Sequence, residues 1–213
     1  MKCNWKNIKI DGGFFEEVHE YNYLGQIIHT EPSHEKEIRR RISLGWAAFN
    51  KYGDVMKSKL PVCLKRKVYN QCVLPVLTYG SETWGLTKKI ERKLRTAERK
   101  MERIMLGITL RDRKRATWIR EKTRIEDILA TIKKRKWAWA GHVMRRTDDR
   151  WTLRLTEWQP RDGKRSKGRP STRWRDEIRA FAGKEWSSKI IDRKQWKVMG
   201  EAFVLQWTCD GCK

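Results

Sequence analysis

Negative charge is what this chain has least of. Its 26 Asp and Glu stand against 50 Lys and Arg, for a formal net charge of +24, and residues 1–30 supply none of that excess. There is no run of about 18 apolar residues to span a bilayer, and the N-terminal segment has no signal-peptide apolar core. Only four histidines occur (His19, His29, His34, His142), none at ligand spacing from a cysteine. A Gly-rich phosphate loop, a nucleophile elbow and a cluster of acids are all missing. Together these absences point away from a membrane protein and from a catalyst, towards a binder. The basic excess makes a phosphate backbone the expected partner: RNA, DNA or an RNA–DNA hybrid, not a membrane.

Cysteine excludes little more. The count is five, an odd number without a secretory context, which is expected of reduced thiols inside the cell, in the nucleus or a cytoplasmic ribonucleoprotein. Cys209 and Cys212 have C-x-x-C spacing, half of a zinc site. A structural zinc wants four ligands and no second pair exists, so no metal is expected there. Asp148-Asp149 is the one adjacent acid pair that invites a two-metal reading. Arg145, Arg146 and Arg150 flank it, which reads instead as a charge-balanced helix end.

What is present is basic and aromatic. Arg161 to Arg175 holds seven Lys and Arg against one Asp, a net of +6 in fifteen residues, and Gly163, Gly168 and Pro170 disfavour helix and strand. Such a segment buries no apolar surface, and its charges repel unless a polyanion lies across them. Lys164, Arg165, Lys167, Arg169, Arg173 and Arg175 are therefore candidate nucleic-acid contacts. There are also twelve tryptophans. Each is first a core or snorkelling residue. Those among arginines (Trp151, Trp158, Trp174) could also stack on bases or guanidinium planes.

Periodicity predicts a mainly α fold: a small N-terminal antiparallel β-hairpin or meander, a helical bundle, then a basic helical C-terminal region. Strands are expected at 7–10, 14–18 and 23–28, the last with Gly25 inside it. A helix capped by Ser33 carries Ile38, Ile42, Trp46 and Phe49 at helical spacing. A second, 64–74, has Leu64, Val68, Cys72 and Val73 on one face, and Pro75 kinks or ends it. A third, 88–106, bears a narrow stripe of Ile90, Leu94, Ala97, Met101, Ile104 and Met105 with charge on every other face. A short fourth helix, 116–122, precedes a fifth, 124–145, with Ile125, Ile128, Leu129, Ile132, Trp139 and Val143 on its apolar side. Its run Lys133, Lys134, Arg135, Lys136 is expected to face elsewhere and, with His142 and Arg145, to meet phosphates. Residues 151–158 suit strand or helix, and helices near 172–182 and 193–207 finish the chain. No internal repeat is evident. Units are expected at 1–30, 31–110, 111–160 and 161–213, with the main boundary within 107–116.

Four motifs in order resemble one family. They are Glu20-Tyr-Asn-Tyr-Leu-Gly25 with Ile27-Ile28 and Glu37-Ile-x-x-Arg-Ile42; Pro75-Val-Leu-Thr-Tyr-Gly-Ser-Glu-Thr-Trp84; Trp139-Ala-Gly-His-Val-Met-Arg145; and Gly168-Arg-Pro-x-Thr-Arg-Trp174 with Asp176. They look like the post-palm, thumb and basic C-terminal region of non-LTR (LINE, RTE-type) retrotransposon endonuclease–reverse transcriptases. The resemblance implies a thumb that grips template–primer duplex, with Tyr23, Leu24 and Gly25 near the primer and the C-terminal part, including Trp174, holding element RNA or target DNA. It also implies magnesium in the full-length parent enzyme. The family's aromatic-Ala-Asp-Asp motif, fingers and endonuclease are absent from this chain. The expectation is a nucleic-acid-binding fragment without catalytic residues of its own.

Two other readings stay open from the residues. The fourth and fifth helices could form a helix-turn-helix that reads duplex sequence. The third helix could be a coiled-coil arm of an interaction protein. A decayed copy of a mobile element is a further origin.

Overall fold

The computed structural model describes residues 9–10, 13–14, 18–29, 34–148, 151–157 and 173–209. Ser33 and the basic segment 158–172 fall outside them. Among the described residues no helix is long and apolar enough to cross a membrane.

The N-terminal β structure is two separate hairpins. Strand β1 (Lys9–Ile10) pairs with β2 (Gly13–Phe14), and β3 (Glu20–Tyr23) with β4 (Gln26–His29), both antiparallel. A continuous strand over 23–28 is thereby corrected. Leu24 and Gly25 are the two-residue turn, with φ of 47° and 77°, the doubly left-handed backbone that suits the strand twist.

Helix α1 (Glu35–Lys51) buries Ile38 and Phe49 as the spacing predicts, and His34 occupies its N-cap position without a side-chain cap. After α2 (Gly53–Lys57), α3 (Val62–Val68) runs through a π-helical turn, Tyr69–Val73, into α4 (Leu74–Leu77). Of the two outcomes expected at Pro75, the helix is interrupted by a widened turn rather than ended. The widened turn places the proline's missing N–H in the first turn of α4, where no intrahelical partner is required. Leu64 lies off the core, 46% exposed, while Tyr69, Val73, Leu74 and Leu77 face inward.

Helix α5 (Lys88–Leu106) places its apolar stripe in the core, but not as a free arm. Glu91, Glu98 and Glu102 are buried too, because α1, α2, α3, α6 (Ala116–Thr123) and α7 (Ile128–Met144) surround it. The coiled-coil reading fails on that packing. Four elements complete the chain: α8 (Trp151–Glu157), α9 (Asp176–Ala182), α10 (Trp186–Lys189) and α11 (Arg193–Cys209). Two cores result. One joins α1–α5 to Ile125, Ile128, Leu129 and Ile132; the other joins Trp137 and Ala140 to Ile178, Ala182, Trp186, Ile190, Trp196 and Phe203. The cores meet within α7.

A buried polar network fixes the start of α7. Asp127 accepts the Ala130 amide at 2.8 Å, and Glu98 of α5 accepts both the Ile128 amide and the Arg120 guanidinium at 2.8 Å. Thr123 donates to Glu102 at 2.7 Å. Burial, with the Asp127 charge adding to it, pushes Glu98 up from the ordinary 4.5 to about 8, and burial moves Glu102 in the same direction. The folded state thus holds a proton on Glu98 that the unfolded chain releases. Stability from this group is complete below pH 4.5 and is lost as pH rises to 8. Denaturation midpoints of wild type should fall across that window, and Glu98→Gln should flatten the profile. A profile as steep in the variant as in wild type would count against Glu98 as the titrating group.

Candidate nucleic-acid interface

Three of the four family-like motifs, far apart in sequence, meet at the loop Tyr79–Trp84, and Trp139 and His142 of the other line a cleft with its Glu82. The Tyr79 hydroxyl donates to the Leu24 carbonyl at 3.0 Å, and Gln26 donates to the Gly80 carbonyl at 3.1 Å. Arg41 lies over the Tyr79 ring at 4.5 Å, pairs with Glu37 at 2.5 Å and donates to the Gly25 carbonyl. Arg40 donates to that same carbonyl at 2.7 Å. From the other side, Arg135 of α7 donates to the Thr78 carbonyl at 2.6 Å and Trp174 donates to the Glu82 carbonyl at 2.6 Å. The loop is a hub held by backbone acceptors, a role its composition does not announce.

Beneath it the basic run of α7 divides. Lys133 and Lys136 are buried, their side chains 0% and 1% exposed, and both reach Glu177 of α9, at 2.7 and 3.1 Å. Lys133 also lies 3.8 Å from Glu91 of α5, and Lys136 sits 5.4 Å from the Trp174 ring. Desolvated and sharing the single Glu177 carboxylate, these two lysines face the junction of the two cores rather than solvent. Only Lys134 of the run is exposed, and Arg135 is partly occupied by Thr78.

The C-terminal core is built on a reciprocal tryptophan pair. The Trp137 and Trp196 rings stack at 3.9 Å and 13°, and each indole N–H donates to the other residue's carbonyl, at 2.8 and 3.1 Å. Each ring also lies over a glycine of the opposite helix. A Cβ on Gly141 would stand 2.6 Å from Trp196, and one on Gly200 would stand 2.6 Å from Trp137. Both helices therefore carry W-x-x-x-G. Trp139, expected on the apolar face, is displaced from it by Trp137 and is only half-buried.

Beside this pair, α7 and α11 form a groove of about 1010 Å3, lined by Lys134, His142, Arg145, Arg146, Arg193 and Lys197, with Glu201 as its acid. Arg145 donates to the Ile190 carbonyl at 3.1 Å, and Arg146 lies 3.8 Å from Asp148. Lys134, Arg193 and Lys197 are exposed and make no ion pair among the described residues. A second cleft of about 420 Å3, lined by Glu82, Arg135, Ala138, Trp139 and His142, adjoins the groove across Ala138 and His142.

Among curated proteins, the chain is similar to an uncharacterized transposon-derived protein of Caenorhabditis elegans. The two are 38% identical over 194 residues, which cover 85% of this chain and 70% of the relative. The chain belongs to that transposon-derived family. No protein-family profile matches the sequence, and no solved structure matches it.

Other expected site residues of this transposon-derived chain are scattered. Tyr23 and Leu24 stand exposed at the β3–β4 turn, and the Gly25 carbonyl is occupied by the two arginines. Arg173 is exposed; Trp174 is spent on the hub, its ring packed on the second core. Arg175 is half-buried. Lys164, Arg165, Lys167, Arg169 and Cys212 lie outside the described residues, as does the side chain of Cys209. No three His, Cys, Asp or Glu side chains cluster for a metal among the described residues. Sequence reasoning missed Arg193 and Lys197, which fall in register with the tryptophan–glycine pattern of α11 and share its groove.

Proposed function

We propose that this chain is a nucleic-acid-binding piece of a non-LTR retrotransposon reverse transcriptase, holding a phosphate backbone along the α7–α11 groove and catalysing nothing alone. The observation that carries the reading is the trio Lys134, Arg193 and Lys197, exposed on one groove and in no ion pair among the described residues, with Glu201 the one acid in its lining. Cations held together in this way repel one another, and a polyanion relieves that repulsion while releasing its counterions. The transposon-derived relative and the meeting of three of the four motifs at one hub support the retroelement origin.

The helix-turn-helix reading loses ground on geometry. A recognition helix must present a broad face to the major groove. Helix α7 buries nine of its residues, and Lys134, Ala138 and His142 form its exposed strip.

The test is the dependence of binding on salt. Wild type should bind RNA and DNA with a steep log K against log salt and little sequence preference. Replacing Lys134, Arg193 and Lys197 together by Ala should lower the slope by about 2–3, about 0.7–0.9 for each phosphate no longer neutralised. Neutralising Lys164, Arg165, Lys167 and Arg169 tests the basic segment separately. An unchanged slope in the groove variant would remove the groove as the footprint.

A further inference from the structure

Tryptophan is costly to leave outside a core, and most of those described are inside one. Trp46 and Trp84 belong to the first core; Trp137, Trp174, Trp186 and Trp196 belong to the second. Trp118, Trp139 and Trp151 belong to neither, and of these Trp139 lines a cleft beside the groove. It makes no hydrogen bond among the described residues, and its one ring neighbour is His142, 5.7 Å away and tilted by 30°. Half-buried, it forms a wall of the 420 Å3 cleft together with Arg135, Glu82 and His142.

That cleft opens beside the cationic groove, and His142 and Ala138 line both. A backbone lying along Lys134, Arg193 and Lys197 would pass the mouth of a space with one aromatic face, an imidazole and a guanidinium. A paired base in a duplex keeps its face against its neighbours and cannot use such a wall. An unpaired base can, because every base has a π-face and needs no particular edge contacts. We propose that the Trp139–His142 cleft is a stacking site for an unpaired base of the nucleic acid held in the α7–α11 groove, and that it makes this protein prefer single strands. The proposal rests on the groove reading and adds the class of ligand.

The site separates stacking from charge. Trp139 contributes to single-strand affinity without touching a phosphate, so its loss leaves the salt slope unchanged. The full chain is titrated with oligo(dT), oligo(U) and a duplex of equal length, wild type against Trp139→Ala and Trp139→Phe. Trp139→Ala should weaken both single strands by about 5- to 100-fold, the range of one base–aromatic stack, and the duplex by much less. Trp139→Phe should restore most of the affinity, since it keeps an aromatic face. A strand carrying one 2-aminopurine should lose fluorescence on wild type and keep it on Trp139→Ala. Because Trp139 lies outside both cores, the melting temperatures should agree closely, which excludes misfolding as the cause.

Equal single-strand affinity in wild type and Trp139→Ala, with the salt slope of wild type intact, would overturn the stacking site and leave the groove standing. An equal loss on single strand and duplex would overturn it too, as a general disturbance of the groove. No salt-dependent binding by wild type would remove groove and stacking site together.

Discussion

Replacing Glu177 by Ala is expected to cost about 3–5 kcal/mol of folding stability, the loss typical when one partner of a buried ion pair is deleted. The reason lies in the two ammonium groups it serves. Lys133 and Lys136 are desolvated by the junction of the two cores, and Glu177 lies within 2.7 and 3.1 Å of them. Burial already pulls Lys136 below the usual lysine range, and Glu177 works against that pull. Without the carboxylate, Lys133 still has Glu91 at 3.8 Å. Chemical denaturation of wild type and Glu177→Ala reads the loss. A companion variant, Lys133→Met with Lys136→Met and Glu177→Leu, removes every charge of the triad and should recover most of the stability, because well-packed apolar groups avoid the desolvation altogether. A loss below about 1 kcal/mol in Glu177→Ala would mean that water reaches the lysines.

The second large effect is at the crossing of α7 and α11. Trp137→Ala should cost about 3–5 kcal/mol, as for other buried aromatics cut to a methyl group. Trp196 then loses its stacking partner and faces a cavity, and Gly200 loses the ring that covers it. Gly200→Ala alone should cost about 1–3 kcal/mol, since its Cβ would meet the Trp137 ring at 2.6 Å and one of the helices must move. Combined, the two changes should cost clearly less than their sum, because the ring obstructing the new methyl is gone. Thermal melts of the four proteins in that cycle give the coupling. Simple additivity would show that the helices separate freely and that the glycine is not there for the ring.

Much of this fold is legible in one sequence. Helices α1, α5, α7 and α11 follow from apolar spacing, and Gly107 beyond α5 marks its end. The motifs that resemble retrotransposon enzymes are contiguous strings, so they too can be read without a structure. Misreadings and undecided points have local causes. Pro75 leaves a kink or a stop open, because a π turn leaves no signature in composition. Leu24-Gly25 looks like strand interior because both flanks are β-prone, while the left-handed backbone of two successive residues depends on pairing across the turn. The W-x-x-x-G of α7 and its counterpart in α11 are too short to stand out as a repeat. They acquire meaning only when the two helices cross.

Charge shows the division most clearly. The sequence by itself determined that the protein is basic, mainly helical and of transposon ancestry, since net charge and contiguous motifs do not depend on packing. It could not say which cations are available. In the run Lys133, Lys134, Arg135, Lys136, four neighbouring side chains point in different directions around one helix. Tertiary structure buries the first and last against Glu177, ties Arg135 partly to a carbonyl and leaves Lys134 to the groove. A side chain's burial is set by what packs on it, and the partners here come from α5, α9 and α11, up to about a third of the chain away. For that reason the character of this protein was written in its composition, while its interface was decided only by the fold.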